Sequence, residues 1–134
     1  AGLAPGAGWL PTEQQTLNVK GKEHIWALGD ATDLPRSKAG STAHFEAPVV
    51  ASRIASLVRG SASKTNYGGR VMCFLETGNR KATALRFDYE HPPTPPKPSI
   101  VWHAAKWMFN RVYWETVPQG RIPEVPRLRR GGNR

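Results

Sequence analysis

A single cysteine, Cys73, stands in the apolar run Val71-Met72-Cys73-Phe74-Leu75. A thiolate does exchange chemistry only against a second sulfur. With one cysteine in 134 residues, the chain has neither an internal disulfide nor a zinc site of paired cysteines. A redox partner for Cys73 would come from elsewhere, and the plainer reading is a small buried hydrophobe. A second group of candidates follows the apolar run Ile25-Trp26-Ala27-Leu28. Gly29 lets the backbone approach a ligand closely, and the Asp30 carboxylate can accept a hydrogen bond from a ligand hydroxyl. Gly-Asp also ends many strands as an ordinary turn. Lys38, Ala39, Gly40 and Thr42 then lead into a helical pattern. The N-terminus of a helix offers unpaired N–H groups and positive potential to an acceptor. Ser41 or Thr42 acting as a plain cap is the alternative, and the two roles are compatible. His24, His44, His91 and His103 show no metal-ligand spacing, so no metal is expected; His44, near the helix start, is the one candidate proton relay.

Few regular elements are available to position these groups. Residues 1–15 read as loop, broken by Gly2, Pro5, Gly6, Gly8 and Pro11. TLNVKG and KEHIWALGD read as two short strands, the second buried on both faces. From Ser41 to Val58, Phe45, Val49, Val50, Ile54, Leu57 and Val58 fall at helical spacing, with Gly60 closing the segment. Pro48 clashes with the carbonyl of His44, so the first turn is expected to kink or the helix to begin later. RVMCFLET and ATALRFDYE, joined by GNRK, predict a β-hairpin. HPPTPPKP, with five prolines in eight residues, predicts a stiff extended linker. The segment from Ser99 to Val117 predicts a second helix, apolar around most of its circumference. The expected fold class is α+β.

Twelve prolines and 13 glycines separate these elements with irregular chain, so a large self-sufficient core is not expected. No stretch approaches 18 uninterrupted apolar residues, which excludes a spanning helix. Of the net charge of +9, the tail RIPEVPRLRRGGNR carries +4, with five arginines against one glutamate, and the remaining excess is scattered. Basic tails are solvated ends or contact anionic lipid headgroups. Nucleic-acid binding is not expected, because no RNP motif, Cys/His finger or heptad-backed basic region accompanies the charge. A non-enzymatic basic nucleic-acid-binding module is nevertheless the alternative of another class.

The order IWALGDATDLPRSK, SKAGSTA, YGGRVMCFLETGNRKATALRFDYE and a Trp-rich helix after a proline linker resembles the C-terminal part of sulfide:quinone oxidoreductases, from about Thr16 to about Pro123. These are FAD-dependent enzymes of the pyridine nucleotide-disulfide oxidoreductase type. The resemblance implies a C-terminal fragment of a two-dinucleotide-domain flavoprotein, inactive in isolation, whose glycine-rich βαβ unit and second cysteine lie upstream. It implies the end of an FAD-binding domain at 1–60, a hairpin carrying Cys73 at 61–91, a linker and membrane-facing helix at 92–120, and a basic flexible tail at 121–134. Gly29 and Asp30 fall on the family's FAD-binding Gly-Asp, with Asp30 taking a ribityl hydroxyl. Lys38, Ala39, Gly40 and Thr42 fall on the segment that meets the flavin ring.

The resemblance also gives Cys73 a catalytic role, as one sulfur of a bridge that sulfide opens. Phe74, Trp107 and Phe109 would line a quinone pocket, and plain core packing is the alternative for Phe74. The implied substrates are sulfide and a membrane quinone. The alternative within flavoproteins is an NAD(P)H-dependent or flavocytochrome-type relative with another donor or acceptor. Trp102, Trp107, Met108, Phe109, Tyr113 and Trp114 carry more apolar surface than one small core needs. Trp and Tyr beside Lys and Arg settle at lipid headgroup boundaries, so the second helix is expected to rest on a membrane surface, giving peripheral membrane localisation. Packing against missing domains or a second subunit of a homo-oligomer is the alternative.

Overall fold

The computed structural model describes residues 3–4 and 8–121. The basic tail expected over 121–134 therefore lies outside the described residues beyond Arg121. Two helices, α1 (Gly40–Val58) and α2 (Ile100–Thr116), and one antiparallel pair, β1 (Val71–Gly78) and β2 (Lys81–Phe87), make a small α+β arrangement. Short 3-10 turns cover Gly29–Ala31 and Val117–Gln119.

Leu17, Leu34, Val49, Val50 and Tyr67 form the core, with Trp26, Leu28, Phe45 and Tyr89 packed around it. The irregular N-terminal segment thus lies over α1 and supplies the other half of its burial. The two strands expected over 16–30 do not form. Val19 N–H donates to Ile25 O at 2.8 Å and Ala27 N–H to Leu17 O at 3.0 Å, but the pairing extends no further into a ladder. The reason is local: Leu17 has φ +61°, a left-handed conformation that breaks an extended run, and Gly21 follows with φ +72°. The run Ile25–Leu28 is consequently not buried on both faces. Ala27 is buried, but Ile25 is 37% exposed.

Helix α1 begins at Gly40 and includes Pro48, so the later start does not occur. Pro48 lies on the exposed side, while Thr42, Glu46, Val49 and Val50 are buried. Packing of that face against the core offsets the backbone bond lost at the proline. Toward its C-terminus, Ile54, Leu57 and Val58 remain exposed.

The hairpin forms as its sequence indicates, with Cys73 opposite Leu85 and Phe74 opposite Ala84. Asn79 (φ +49°) and Arg80 (φ +55°) are both left-handed, the geometry of a tight hairpin turn whose twist matches its strands. The proline segment runs beside β2. Thr83 Oγ1 donates to Pro96 O at 2.6 Å, and Ala82 and Ser99 exchange backbone hydrogen bonds of 3.1 and 2.9 Å. Ser99 then caps α2, its side chain accepting from Trp102 N at 3.3 Å.

The hairpin is tied to the core by Tyr67 and Tyr89, whose rings meet edge to face at 5.9 Å. Arg36 lies 4.2 Å over the Tyr89 ring. Between them Gly69 has φ +77°, and a Cβ there would fall 2.4 Å from Tyr89 Cδ1. Gly69→Ala combines a left-handed backbone penalty with a ring clash and is expected to cost about 3 kcal/mol, measured by urea unfolding. An unchanged midpoint would show that Tyr89 moves aside freely.

Candidate functional site

Gly29 adopts φ +64°, and a Cβ there would approach Ala43 Cβ to 3.1 Å, so the turn presses directly onto α1. Its N–H donates to Glu46 Oε2 at 2.5 Å. Thr32 closes the turn, with both N–H (3.2 Å) and Oγ1 (2.9 Å) donating to Gly29 O. Asp30 is left exposed beside this fixed point.

The loop back to α1 is laced to itself. Lys38 Nζ donates to Thr32 O, and its ammonium lies 5.3 Å from the Trp9 ring centroid. Thr42 Oγ1 donates to Ser37 O at 2.8 Å. Of the four residues expected to meet a ligand here, Lys38 and Thr42 therefore turn their polar groups into the loop. Ala39 occupies the N-cap position and makes no side-chain capping bond. Gly40 is exposed, and nothing lies within 4 Å of where its Cβ would be. Ser41 reaches across to the hairpin instead of capping: Met72 N–H donates to Ser41 Oγ at 3.4 Å, and Cys73 Sγ lies 3.9 Å from the same oxygen. Cys73, a half-buried free thiol, is thus brought against the start of α1 from 32 residues away. His44 packs edge-on against Phe45, with ring centroids 5.6 Å apart.

Glu46 is the residue that sequence reasoning missed. Its side chain is wholly buried, Oε1 has no hydrogen-bond partner, and burial pushes its carboxyl above the usual range against the opposing influence of the Gly29 N–H and Lys38. A carboxyl raised in the folded state contributes stability below the ordinary glutamate range and loses it as pH rises through the raised value. The signal was present: Glu46 lies three and four residues before Val49 and Val50, hence on the apolar face of α1.

The aromatic residues of α2 meet β1. Phe74 lies 5.9 Å from Phe109 and 6.5 Å from Trp102 between ring centroids, and the contacts continue through Tyr113 to Trp114. Trp102, rather than Trp107, joins Phe74 among the described ring contacts. Trp107 is 63% exposed, with the Arg111 guanidinium 5.8 Å from its ring. A recess of about 490 Å³ is lined by Thr12, Gln14, Lys20, Asp33 and Pro35, none of them among the groups expected to bind ligands. No group of three or more His, Cys, Asp or Glu among the described residues is placed to hold a metal.

No protein-family model matches the chain. Curated relatives do. The mitochondrial sulfide:quinone oxidoreductase of Schizosaccharomyces pombe is 29% identical over 125 residues, 84% of this chain and 27% of that protein. The Mus musculus enzyme is 26% identical over 91 residues, 68% and 20% of the two lengths, and that of Dictyostelium discoideum 25% identical over 124 residues, 87% and 27%. The chain is sulfide:quinone oxidoreductase-like. It spans between a fifth and about a quarter of the length of these relatives. A chain in the cryo-EM structure of Tetrahymena thermophila mitochondrial ATP synthase is also similar, with a TM-score of 0.66 and 28% identity over 84% of this chain and 27% of that one.

In this sulfide:quinone oxidoreductase-like segment, α2 is held to the hairpin by Glu76, whose Oε1 lies 3.0 Å from Lys106 Nζ and 3.8 Å from His103 Nδ1. The Lys106 ammonium, by hydrogen bond and charge, holds the Glu76 carboxyl below the usual range, with His103 adding to it. A depressed carboxyl contributes stability above the ordinary glutamate range, and this is lost as pH falls through the lowered value. Hydrogen exchange in α2, corrected for intrinsic rates, is therefore expected to rise across that acid window, and Glu76→Gln to show raised α2 exchange already at neutral pH. Equal protection in both proteins at neutral pH would show that the aromatic contacts hold α2 without the ion pair.

Proposed function

We propose that the chain is the C-terminal part of an FAD-dependent oxidoreductase that oxidises sulfide and reduces a membrane quinone. The observation that carries this reading is the 3.9 Å approach of Cys73 Sγ to Ser41 Oγ, which puts the thiol against the start of α1, where no side chain caps the helix. The residues fit part of the cofactor. The start of α1 lacks a side-chain cap, Gly40 leaves open space, and the exposed Asp30 carboxylate is available to a hydroxyl. The rest of the cofactor needs the remaining length that the relatives have, so the chain alone is expected to retain no stoichiometric FAD. When bound, FAD would supply the two-electron acceptor that a thiol pair lacks.

Cys73 would serve as one sulfur of a disulfide with a cysteine outside this chain. Hydrosulfide attacking that bridge forms one S–S bond and breaks another, leaving a persulfide and a thiolate. Phe74 and Phe109 offer adjacent faces to a flat quinone headgroup, and the exposed Trp107 and Trp114 beside Arg111 suit a lipid headgroup boundary. No helix among the described residues is long and apolar enough to cross a membrane, which agrees with peripheral association through α2.

In a full-length protein carrying this segment, Cys73→Ser is expected to lower sulfide-dependent quinone reduction by about 100-fold or more while FAD stays bound, because the residue supplies a sulfur for exchange. Asp30→Ala is expected to weaken FAD retention. Near-normal turnover of Cys73→Ser with sulfide would make the cysteine structural and move the reading to a flavoprotein with another donor.

A second reading rests on the similarity to a chain in the ATP synthase structure: a structural subunit that keeps the fold without the chemistry. Comigration of the native protein with ATP synthase, without sulfide-dependent quinone reduction, would favour it.

A further inference from the structure

A carboxyl group with no solvent access, one oxygen on a glycine amide and the other without a partner, is costly to bury and stabilises nothing by packing alone. An apolar side chain of the same size would fill that place on α1 more cheaply. What Glu46 does that an apolar residue would not is hold the Gly29 amide at 2.5 Å. The Gly29 N–H faces α1 only because of the left-handed backbone there, and its carbonyl is already taken by Thr32. Asp30 is the next residue, so the direction in which it leaves the turn is set by two holds on Gly29 together, its amide on Glu46 and its carbonyl on Thr32.

We propose that Glu46 is a positioning residue for the cofactor site, fixing the Gly29 peptide from inside α1 so that Asp30 is presented outward in a single direction. This inference rests on the flavin reading of the turn and adds to it a residue outside the Gly-Asp pair. The groups facing Glu46 come from three places: Lys38 ahead of α1, Tyr67 before β1, and Tyr89 after β2 with Arg36 beside it. Burial raises the Glu46 carboxyl and also raises both tyrosines, so neither phenol supplies a charge that would pull Glu46 away from Gly29.

The test uses the isotopically labelled chain and the variants Glu46→Gln and Glu46→Leu. Amide exchange at Gly29 is compared with exchange in the β1–β2 ladder, which reports folding. Glu46→Leu is expected to accelerate Gly29 by about tenfold or more with the ladder unchanged, and Glu46→Gln, which keeps an acceptor oxygen, to remain within about threefold of the parent chain. If Glu46→Leu loses protection everywhere, the parent chain decides alone: the Gly29 amide proton and the Glu46 carboxyl carbon are expected to shift on one shared pH curve, with its midpoint above the ordinary glutamate range. Equal Gly29 exchange in all three proteins, or a Gly29 signal indifferent to the Glu46 titration, overturns the proposal. FAD retention by the full-length protein separates the underlying reading: weaker retention in Glu46→Leu, recovered in Glu46→Gln, supports both. A Gly29 response with unchanged FAD retention overturns the flavin assignment of the turn.

Discussion

The buried Glu46 carboxyl bonded to the Gly29 amide is the constraint around which the described residues are arranged. It joins the Gly29–Ala31 turn to the longest helix among the described residues, where a Cβ on Gly29 would approach Ala43 Cβ to 3.1 Å. From that joint the loop runs back through Thr32, Lys38, Ser37 and Thr42 to the start of α1. The start of α1 is thereby left without a cap and free on its outer side, and Ser41 reaches Met72 and Cys73. The thiol thus meets the start of α1 at Ser41, while the turn that carries the exposed Asp30 is joined to the same helix at Glu46.

The second half of the chain is organised by rings. Phe74 on β1 meets Trp102 and Phe109 on α2, and Glu76 with Lys106 closes the other side of the same contact. None of the residues of α2 is buried, so this helix is held along one side only and presents Trp107, Met108 and Trp114 outward. An element of this kind leaves apolar surface for a further contact.

Much of this arrangement is legible in the sequence where local chemistry decides it. The hairpin follows from GNRK between two apolar runs, and α2 from the aromatic-rich segment after the proline linker. Gly29-Asp30 forms the turn that is its plainer reading. The strand pair over 16–30 is misread because Leu17, a good strand residue, is forced by the core into a left-handed conformation that no pattern of apolar residues announces. Pro48 does not delay the start of α1, because packing of Val49 and Val50 offsets one missing backbone bond. Lys38, which the resemblance puts on the segment that meets the flavin ring, sends its ammonium to Thr32 O, a loop contact that its spacing does not reveal. Glu46 escapes notice for the opposite reason: a charged residue in a helical pattern reads as a solvated face unless its register against Val49 and Val50 is followed.

The most direct measurement is an experimental map of the full-length protein with FAD bound. The account predicts the flavin's sugar-alcohol chain beside Asp30, with its ring over Gly40 at the start of α1 and Cys73 on the same side of that helix. A flavin lying elsewhere, with the start of α1 covered by another polypeptide segment, would contradict it.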